Sequence, residues 1–139
     1  MRVLYTAVGT ANGRDGRGVT SDGKLDVRLS PPAELGGDGA GEGTNPEQLF
    51  AVGYAACFTS AMGVVAKRMD LDVSDVSTTA EVGIGPNDEG GFALDVTLRV
   101  ELPDTIPAEQ GKALLDATHQ VCPYSNATRG NIPVRLVVE

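Results

Sequence analysis

The sharpest alternation of apolar and polar positions in this chain runs from Phe92 to Leu102, with Phe92, Leu94, Val96, Leu98, Val100 and Leu102 on one face. A period of two predicts a strand, and the run from Ser77 to Ile84 is its expected pairing partner. Leu25, Val27 and Leu29 alternate within Lys24 to Ser30 and predict another strand, while residues 3–11 alternate more loosely and read as a first one. Ile132, Val134, Leu136 and Val138 predict a closing strand. Between the early strands, Asn12 to Gly18 reads as a glycine-studded turn or loop displaying Arg14 and Arg17. From Pro31 to Asn45 the sequence PPAELGGDGAGEGTN is too rich in Gly and Pro for regular structure, and a loop of that length in a compact domain is usually functional or mobile.

Two segments break the alternation. Leu49 to Ala66 carries no charge at all. It is preceded by a well-formed helix start: Asn45 as cap, Pro46 at the first position, Glu47 near the positive dipole end and Gln48 placed to complete a capping box. Lys67 and Arg68 close the segment where cations are favoured. Gly53, Ala56, Ser60 and Gly63 recur at spacings of three or four, which gives one smooth face able to accept another backbone closely. The second segment opens at Pro107 and puts Leu114, Leu115, Thr118, Val121 and Cys122 on one broad face. It must end near Cys122, because a residue before proline is driven out of the helical region. The order of strands, helix, strands, helix, strand predicts a single α+β domain over residues 1–139, with antiparallel sheets packed on two central helices.

Composition narrows the partners. Aromatic residues make up only 4% of the chain and Trp is absent, so the core is expected from Val, Leu, Ala and Gly, with room for added stability at a subunit interface. A formal charge of −8 argues against a nucleic-acid partner, whose phosphates need Lys and Arg, and the lack of basic runs argues against an anionic membrane surface. The uncharged helix is long enough to consider as a membrane span. Its Ala, Gly, Ser and Thr content makes it weakly hydrophobic, and an all-round apolar helix is equally expected in a core. The opening MRVLYTAVGT lacks a signal-peptide pattern, and two cysteines without one suit a reducing cytoplasm.

Those two cysteines carry the candidate chemistry. Cys57 lies in the middle of the uncharged helix and Cys122 at the end of the second. They are either unrelated core thiols, since free cysteine is often a small buried hydrophobe, or a pair that the fold brings together for redox work. No CxxC is present, and a single histidine rules out Cys/His zinc spacings. A peroxide-reducing thiol needs a stabilised thiolate, a donor for the leaving oxygen, a second thiol to resolve the sulfenic acid and a pocket for the organic part of the substrate. Burial alone would raise the Cys57 pKa, so a cation is required, and Arg14 or Arg17 could supply it. Glu47 could orient that arginine through a two-pronged carboxylate contact, and Cys122 is the candidate resolving thiol. Each also has a plainer reading: Glu47 as a helix-dipole partner, the arginines as solvated charges, and His119 as a structural or surface residue rather than a general base.

The strings themselves go further. TNPEQLFAVGYAACF (residues 44–58) and HQVCPYSNATRGN (residues 119–131) closely resemble the two cysteine motifs of the organic hydroperoxide resistance proteins, the Ohr branch of the OsmC/Ohr superfamily. LYTA (residues 4–7), NGRDGR (residues 12–17) and LGG (residues 35–37) look like the same branch, so the resemblance spans essentially the whole chain. It implies a thiol peroxidase without metal, haem or flavin, acting on organic and fatty-acid hydroperoxides, with lipoylated proteins as the dithiol reductant. It implies Cys57 as peroxidatic thiol, Cys122 as resolving thiol, Arg14 as the active-site arginine, with Arg17 close by as an alternative, and Glu47 as its carboxylate. It further implies an intertwined homodimer with two sites at the interface. Glu47 and Cys57 are ten residues apart on one predicted helix, about 15 Å along its axis, so a Glu47 reaching across to the partner's site is expected. Val52, Thr59 and the acidic loop Gly36 to Gly43 depart from the usual small-residue pattern and leave substrate preference open. The alternatives are an OsmC-type peroxidase of broader specificity and a non-catalytic module that binds apolar ligands.

Overall fold

A computed structural model describes all residues from Met1 to Glu139 and separates them into two compact units, Met1–Leu49 and Phe50–Glu139. One long helix, α1 (Pro46–Arg68), begins in the first and forms the body of the second.

The first unit is a three-stranded antiparallel sheet in the order β1 (Gly9–Ala11), β2 (Gly16–Thr20), β3 (Asp26–Leu29). Two expectations need correction. The first strand spans only Gly9–Ala11, and residues 1–8 form no strand within the chain, with Val3, Leu4, Tyr5 and Val8 exposed. The supposed glycine loop yields to β2 from Gly16 onward, because backbone pairing with β3 (Gly16 opposite Leu29, Gly18 opposite Val27) outweighs the poor strand propensity of glycine. The Gly/Pro-rich stretch holds only a 3-10 turn at Ala33–Leu35, and its two ends are stapled together. Thr44 N–H donates to the Arg28 carbonyl (2.8 Å), Ser30 N–H to the Thr44 carbonyl (3.0 Å) and Gly43 N–H to Ser30 Oγ (3.0 Å). A Cβ on Gly43 would lie 2.6 Å from the Leu29–Ser30 backbone, so only glycine allows this close return.

The start of α1 follows the sequence in part. Asn45 Oδ1 accepts the Gln48 N–H at 2.8 Å, satisfying one of the orphan donors of the first turn. The reciprocal half of the capping box is not made, because Gln48 Oε1 instead accepts the Thr44 hydroxyl at 2.6 Å. At the other end the Leu71 N–H reaches back to the Ala66 carbonyl (2.9 Å), a turn that places Asp70 in the left-handed region at φ 57°.

In the second unit β4 (Ser77–Pro86) and β5 (Phe92–Glu101) form a long antiparallel hairpin, paired from Ser77 opposite Glu101 to Pro86 opposite Phe92. Asn87 closes it by accepting the Glu89 and Gly91 N–H groups on Oδ1. Next come α2 (Ala108–Val121), α3 (Pro123–Thr128) and β6 (Val134–Val138). β6 pairs with β5 in parallel, Val96 opposite Val134 through Val100 opposite Val138. The sheet is therefore mixed rather than antiparallel throughout. The helical crossover returns the chain to the end of the sheet from which β5 began, so β6 runs the same way. The core joins Val96, Leu98 and Val100 of β5, Tyr54, Phe58, Met62 and Val65 of α1, and Leu114 and Leu115 of α2. α1 is thus a core helix on this face. Its small-residue face, with Val52 and Val64 beside it, stays largely open within the chain.

Candidate active site

Pro123 shapes the thiol site. It forces Cys122 into an extended conformation (φ −61°, ψ 125°), which ends α2 and at the same time begins α3, with Pro123 at its first position. The Cys122 N–H still donates to the Thr118 carbonyl (2.9 Å), and its own carbonyl accepts the Asn126 N–H (3.0 Å). The residue is consequently fixed by both helices. Its side chain is fully buried and points at the middle of α1, where the Cys57 and Cys122 sulfurs lie 3.5 Å apart as free thiols. Of the two readings open from sequence, unrelated thiols and a juxtaposed pair, the fold realises the pair.

Cys57 is half-buried. Burial pushes its thiol above the ordinary cysteine value, the neighbouring Cys122 pushes the same way, and the Tyr124 backbone N–H, directed at the Cys57 sulfur, works against both. Taken alone, this unit holds Cys57 as a thiol rather than a thiolate.

Aromatic residues flank the pair. The rings of Phe50, Tyr54 and Tyr124 lie 5.6 to 5.8 Å apart, centroid to centroid. Gly53, one turn before Cys57, makes the notch in which Tyr124 rests: a Cβ there would stand 2.9 Å from the phenol oxygen and 3.3 Å from the ring. Tyr124 itself remains 39% exposed, so this apolar patch beside Cys57 opens outward. Beneath it, the fully buried Tyr54 places its hydroxyl 2.8 Å from Ser125 Oγ and 3.1 Å from Thr128 Oγ1, and Ser125 Oγ lies 2.7 Å from His119 Nδ1.

The ionic cluster belongs to the first unit. Arg14 grips Glu47 with both prongs, Nη1 to Oε2 at 2.9 Å and Nη2 to Oε1 at 2.7 Å. The guanidinium holds the Glu47 carboxyl below its usual range, and the carboxylate raises Arg14 in return. Arg17 takes no part, since it points from β2 to Asp26 on β3 and makes its own two-pronged pair there. That resolves the choice between the two arginines as partner of Glu47.

Several residues here were not singled out from sequence. Tyr54, Tyr124, Ser125 and Thr128 were quoted only as letters of the two motifs, and Gly53 only as part of a smooth face. Gly53, Tyr54 and Ser125 lie three or four residues from a cysteine, and that spacing was the available signal; Tyr124 and Thr128, two and six residues from Cys122, carried none. His119 does have a structural partner, Ser125. Of the departures noted above, the Thr59 hydroxyl donates to the Ala55 carbonyl and pairs with the Thr78 hydroxyl on β4, and Val52 is an exposed residue of α1.

Comparison with known proteins gives a consistent picture. Residues 37–137 match the family model described as OsmC-like protein. The chain is 56% identical over 139 residues to the organic hydroperoxide resistance protein of Xanthomonas axonopodis pv. citri (strain 306), covering 99% of this chain and 96% of that one. It is 43% identical to the organic hydroperoxide resistance protein OhrB of Bacillus subtilis (strain 168), covering 96% of each. The crystal structure of an organic hydroperoxide resistance protein from Elizabethkingia anophelis superposes with a TM-score of 0.92 at 44% identity, covering 100% of this chain and 99% of that one.

Proposed function

The chain belongs to the OsmC-like family and to its organic hydroperoxide resistance branch, and from that premise we propose that it is a cytoplasmic thiol peroxidase that reduces organic hydroperoxides in oxidative stress defence. The 3.5 Å approach of Cys57 and Cys122 is the observation that carries this reading. In the first step the Cys57 thiolate attacks one peroxide oxygen: an S–O bond forms, the O–O bond breaks, and the alkoxide leaves as an alcohol after taking a proton. Cys57 is then a sulfenic acid. Cys122 attacks its sulfur, forming the Cys57–Cys122 disulfide and releasing the hydroxyl as water. Two successive thiol–disulfide exchanges with a dithiol restore both thiols and oxidise that dithiol to its own disulfide; a lipoylated protein is the proposed donor.

Cys57 is the half-buried, more accessible member of the pair and Cys122 the buried one, which suits attack on substrate by the first and resolution by the second. The open aromatic patch suits the hydrocarbon part of an alkyl or fatty-acid hydroperoxide, whose burial contributes about 25 cal/mol per Å². Thiolate formation needs a cation, since burial opposes it, and Arg14 is the proposed source, oriented by Glu47. Glu47 and Cys57 stand ten positions apart on α1, about 15 Å along the helix axis. The account therefore assigns the Arg14–Glu47 pair to the Cys57 of a second copy in a homodimer. The exposed apolar residues Val3, Leu4, Tyr5 and Val8, together with the open small-residue face of α1, support such an association.

Steady-state turnover of cumene and fatty-acid hydroperoxides tests this function with dihydrolipoamide, glutathione and thioredoxin as competing reductants. Turnover is expected with dihydrolipoamide and little with the other two. No hydroperoxide consumption with any dithiol would overturn the proposal.

A further inference from the structure

Tyr54, Ser125 and His119 stand in a regular relation to the two thiols. Tyr54 precedes Cys57 by three residues on α1, His119 precedes Cys122 by three on α2, and Ser125 follows Cys122 by three on α3. Each is about one helical turn from a cysteine, and the three side chains meet: Tyr54 Oη to Ser125 Oγ at 2.8 Å, Ser125 Oγ to His119 Nδ1 at 2.7 Å. We propose that this hydroxyl–imidazole chain is a positioning device for the resolving thiol, holding the α2–α3 corner so that Cys122 is presented to Cys57. The inference rests on the reading of Cys57 and Cys122 as peroxidatic and resolving thiols.

The physical case begins with Tyr54. Its side chain is 0% exposed in the hydrophobic core, where a phenylalanine would fill nearly the same volume without a polar atom to satisfy. A buried hydroxyl is costly unless bonded, and here it is bonded twice, to Ser125 and to Thr128, both on α3 and both buried. Fully satisfied buried networks fix one geometry where an apolar contact tolerates several. The geometry fixed here is the junction whose only side chain between α2 and α3 is Cys122. Arg129 reinforces it from outside, donating to Asn126 Oδ1 (2.8 Å) and to the His119 carbonyl.

Burial, helped by the nearby Arg129 charge and opposed by Asp116, holds His119 below its ordinary value. In the tautomer with the ring proton on Nε2, Ser125 donates to His119 Nδ1 and Tyr54 donates to Ser125; in the other tautomer Nδ1 donates and the chain runs the opposite way. Because hydroxyl hydrogens rotate freely, the network can follow a small displacement without breaking. Such a displacement is needed: a disulfide requires the sulfurs to close from 3.5 Å to about 2.05 Å. The network guides that closure and leaves the attack on hydroperoxide to Cys57.

The test compares Tyr54→Phe, Ser125→Ala and the hydroxyl-retaining Ser125→Thr with the wild-type protein, each checked for folding by thermal denaturation. Rapid-quench alkylation and mass spectrometry follow Cys57 through sulfenic acid to either disulfide or sulfinic acid over a series of cumene hydroperoxide doses. The first oxidation should keep its wild-type rate in Ser125→Ala and Ser125→Thr, whose side chains lie outside the aromatic patch. Disulfide formation in Tyr54→Phe and Ser125→Ala should slow by about tenfold, the scale of one lost buried hydrogen bond, with sulfinic acid accumulating at lower doses. Ser125→Thr should restore the wild-type partition. Loss of stability alone would slow both steps together, and that result overturns the inference, as does unchanged partition in folded variants. If the wild-type protein forms neither sulfenic acid nor disulfide, the thiol-peroxidase reading itself fails and the inference falls with it.

Discussion

Cys57 and Cys122 are separated by 65 positions in the chain and by 3.5 Å in the fold. One sits in mid-helix, where the backbone is rigid. The other sits at a corner that Pro123 forces open, where α2 stops and α3 starts. A mid-helix thiol facing one held at a helix corner suits the proposed disulfide. The aromatic patch, the Tyr124 N–H and the buried hydroxyl chain all surround this pair within the Phe50–Glu139 unit.

The patch should set substrate preference. Each buried CH₂ contributes about 0.8 kcal/mol, so a few buried carbons suffice for a large advantage of cumene or lipid hydroperoxide over hydrogen peroxide in kcat/KM. Gly53→Ala drives a methyl to within 2.9 Å of the Tyr124 phenol oxygen, and the ring must move off its notch. We expect a drop of about tenfold, or ~1.4 kcal/mol, in kcat/KM for cumene hydroperoxide and a much smaller one for hydrogen peroxide. Equal losses on both substrates would contradict a role of the notch in selectivity.

Arg14 should govern the pH profile. Burial raises the Cys57 thiol, and only the thiolate attacks, so without a cation the oxidation rate should climb with pH well beyond neutrality. Arg14→Ala is expected to slow the reaction about ten- to hundredfold at pH 7 by raising the Cys57 thiol further, with recovery as pH increases. The measurement is stopped-flow Cys57 oxidation across pH. A variant profile that overlays wild type removes Arg14 from the site.

If Arg14 and Glu47 serve the partner's thiol, inactive Cys57→Ser and Glu47→Ala proteins should regain activity when their subunits are exchanged, in one of the two sites of each heterodimer. Exchange proven by mass spectrometry without recovered activity would mean that each site is built from one chain.

Asp70 offers a stability test away from the chemistry. It holds the left-handed turn after α1 at φ 57°, a conformation with a Cβ penalty that glycine lacks. Asp70→Gly should raise unfolding stability by about 0.5–1 kcal/mol with turnover unchanged, as read from urea denaturation. Destabilisation would show that the Asp70 side chain itself supports the turn.

Much of this architecture was legible because it rests on strong local signals. The cap at Asn45, the uncharged run and the terminal cations mark out α1, and strict alternation marks β5. What was missed depends on long-range pairing. β2 is glycine-rich and reads as a turn, and only its partner β3 makes it a strand. β6 alternates like any edge strand, so nothing in it announces a parallel neighbour. α3 is a single short helix, and the proline that correctly ends α2 also starts it. Both cysteines and the Arg14–Glu47 pair carried motif signals. Tyr54, Ser125 and His119 became a network only through the packing of three helices, which no spacing along one helix reveals.

The most direct test of the central claim is peptide mapping of the wild-type protein after one equivalent of cumene hydroperoxide, alongside Cys57→Ser and Cys122→Ser. The account predicts a Cys57–Cys122 disulfide within one chain of the wild type, no reaction in Cys57→Ser, and in Cys122→Ser a single oxidation at Cys57 that proceeds to sulfinic acid with excess peroxide. Free thiols in the treated wild type, with hydroperoxide still consumed by Cys57→Ser, would contradict it.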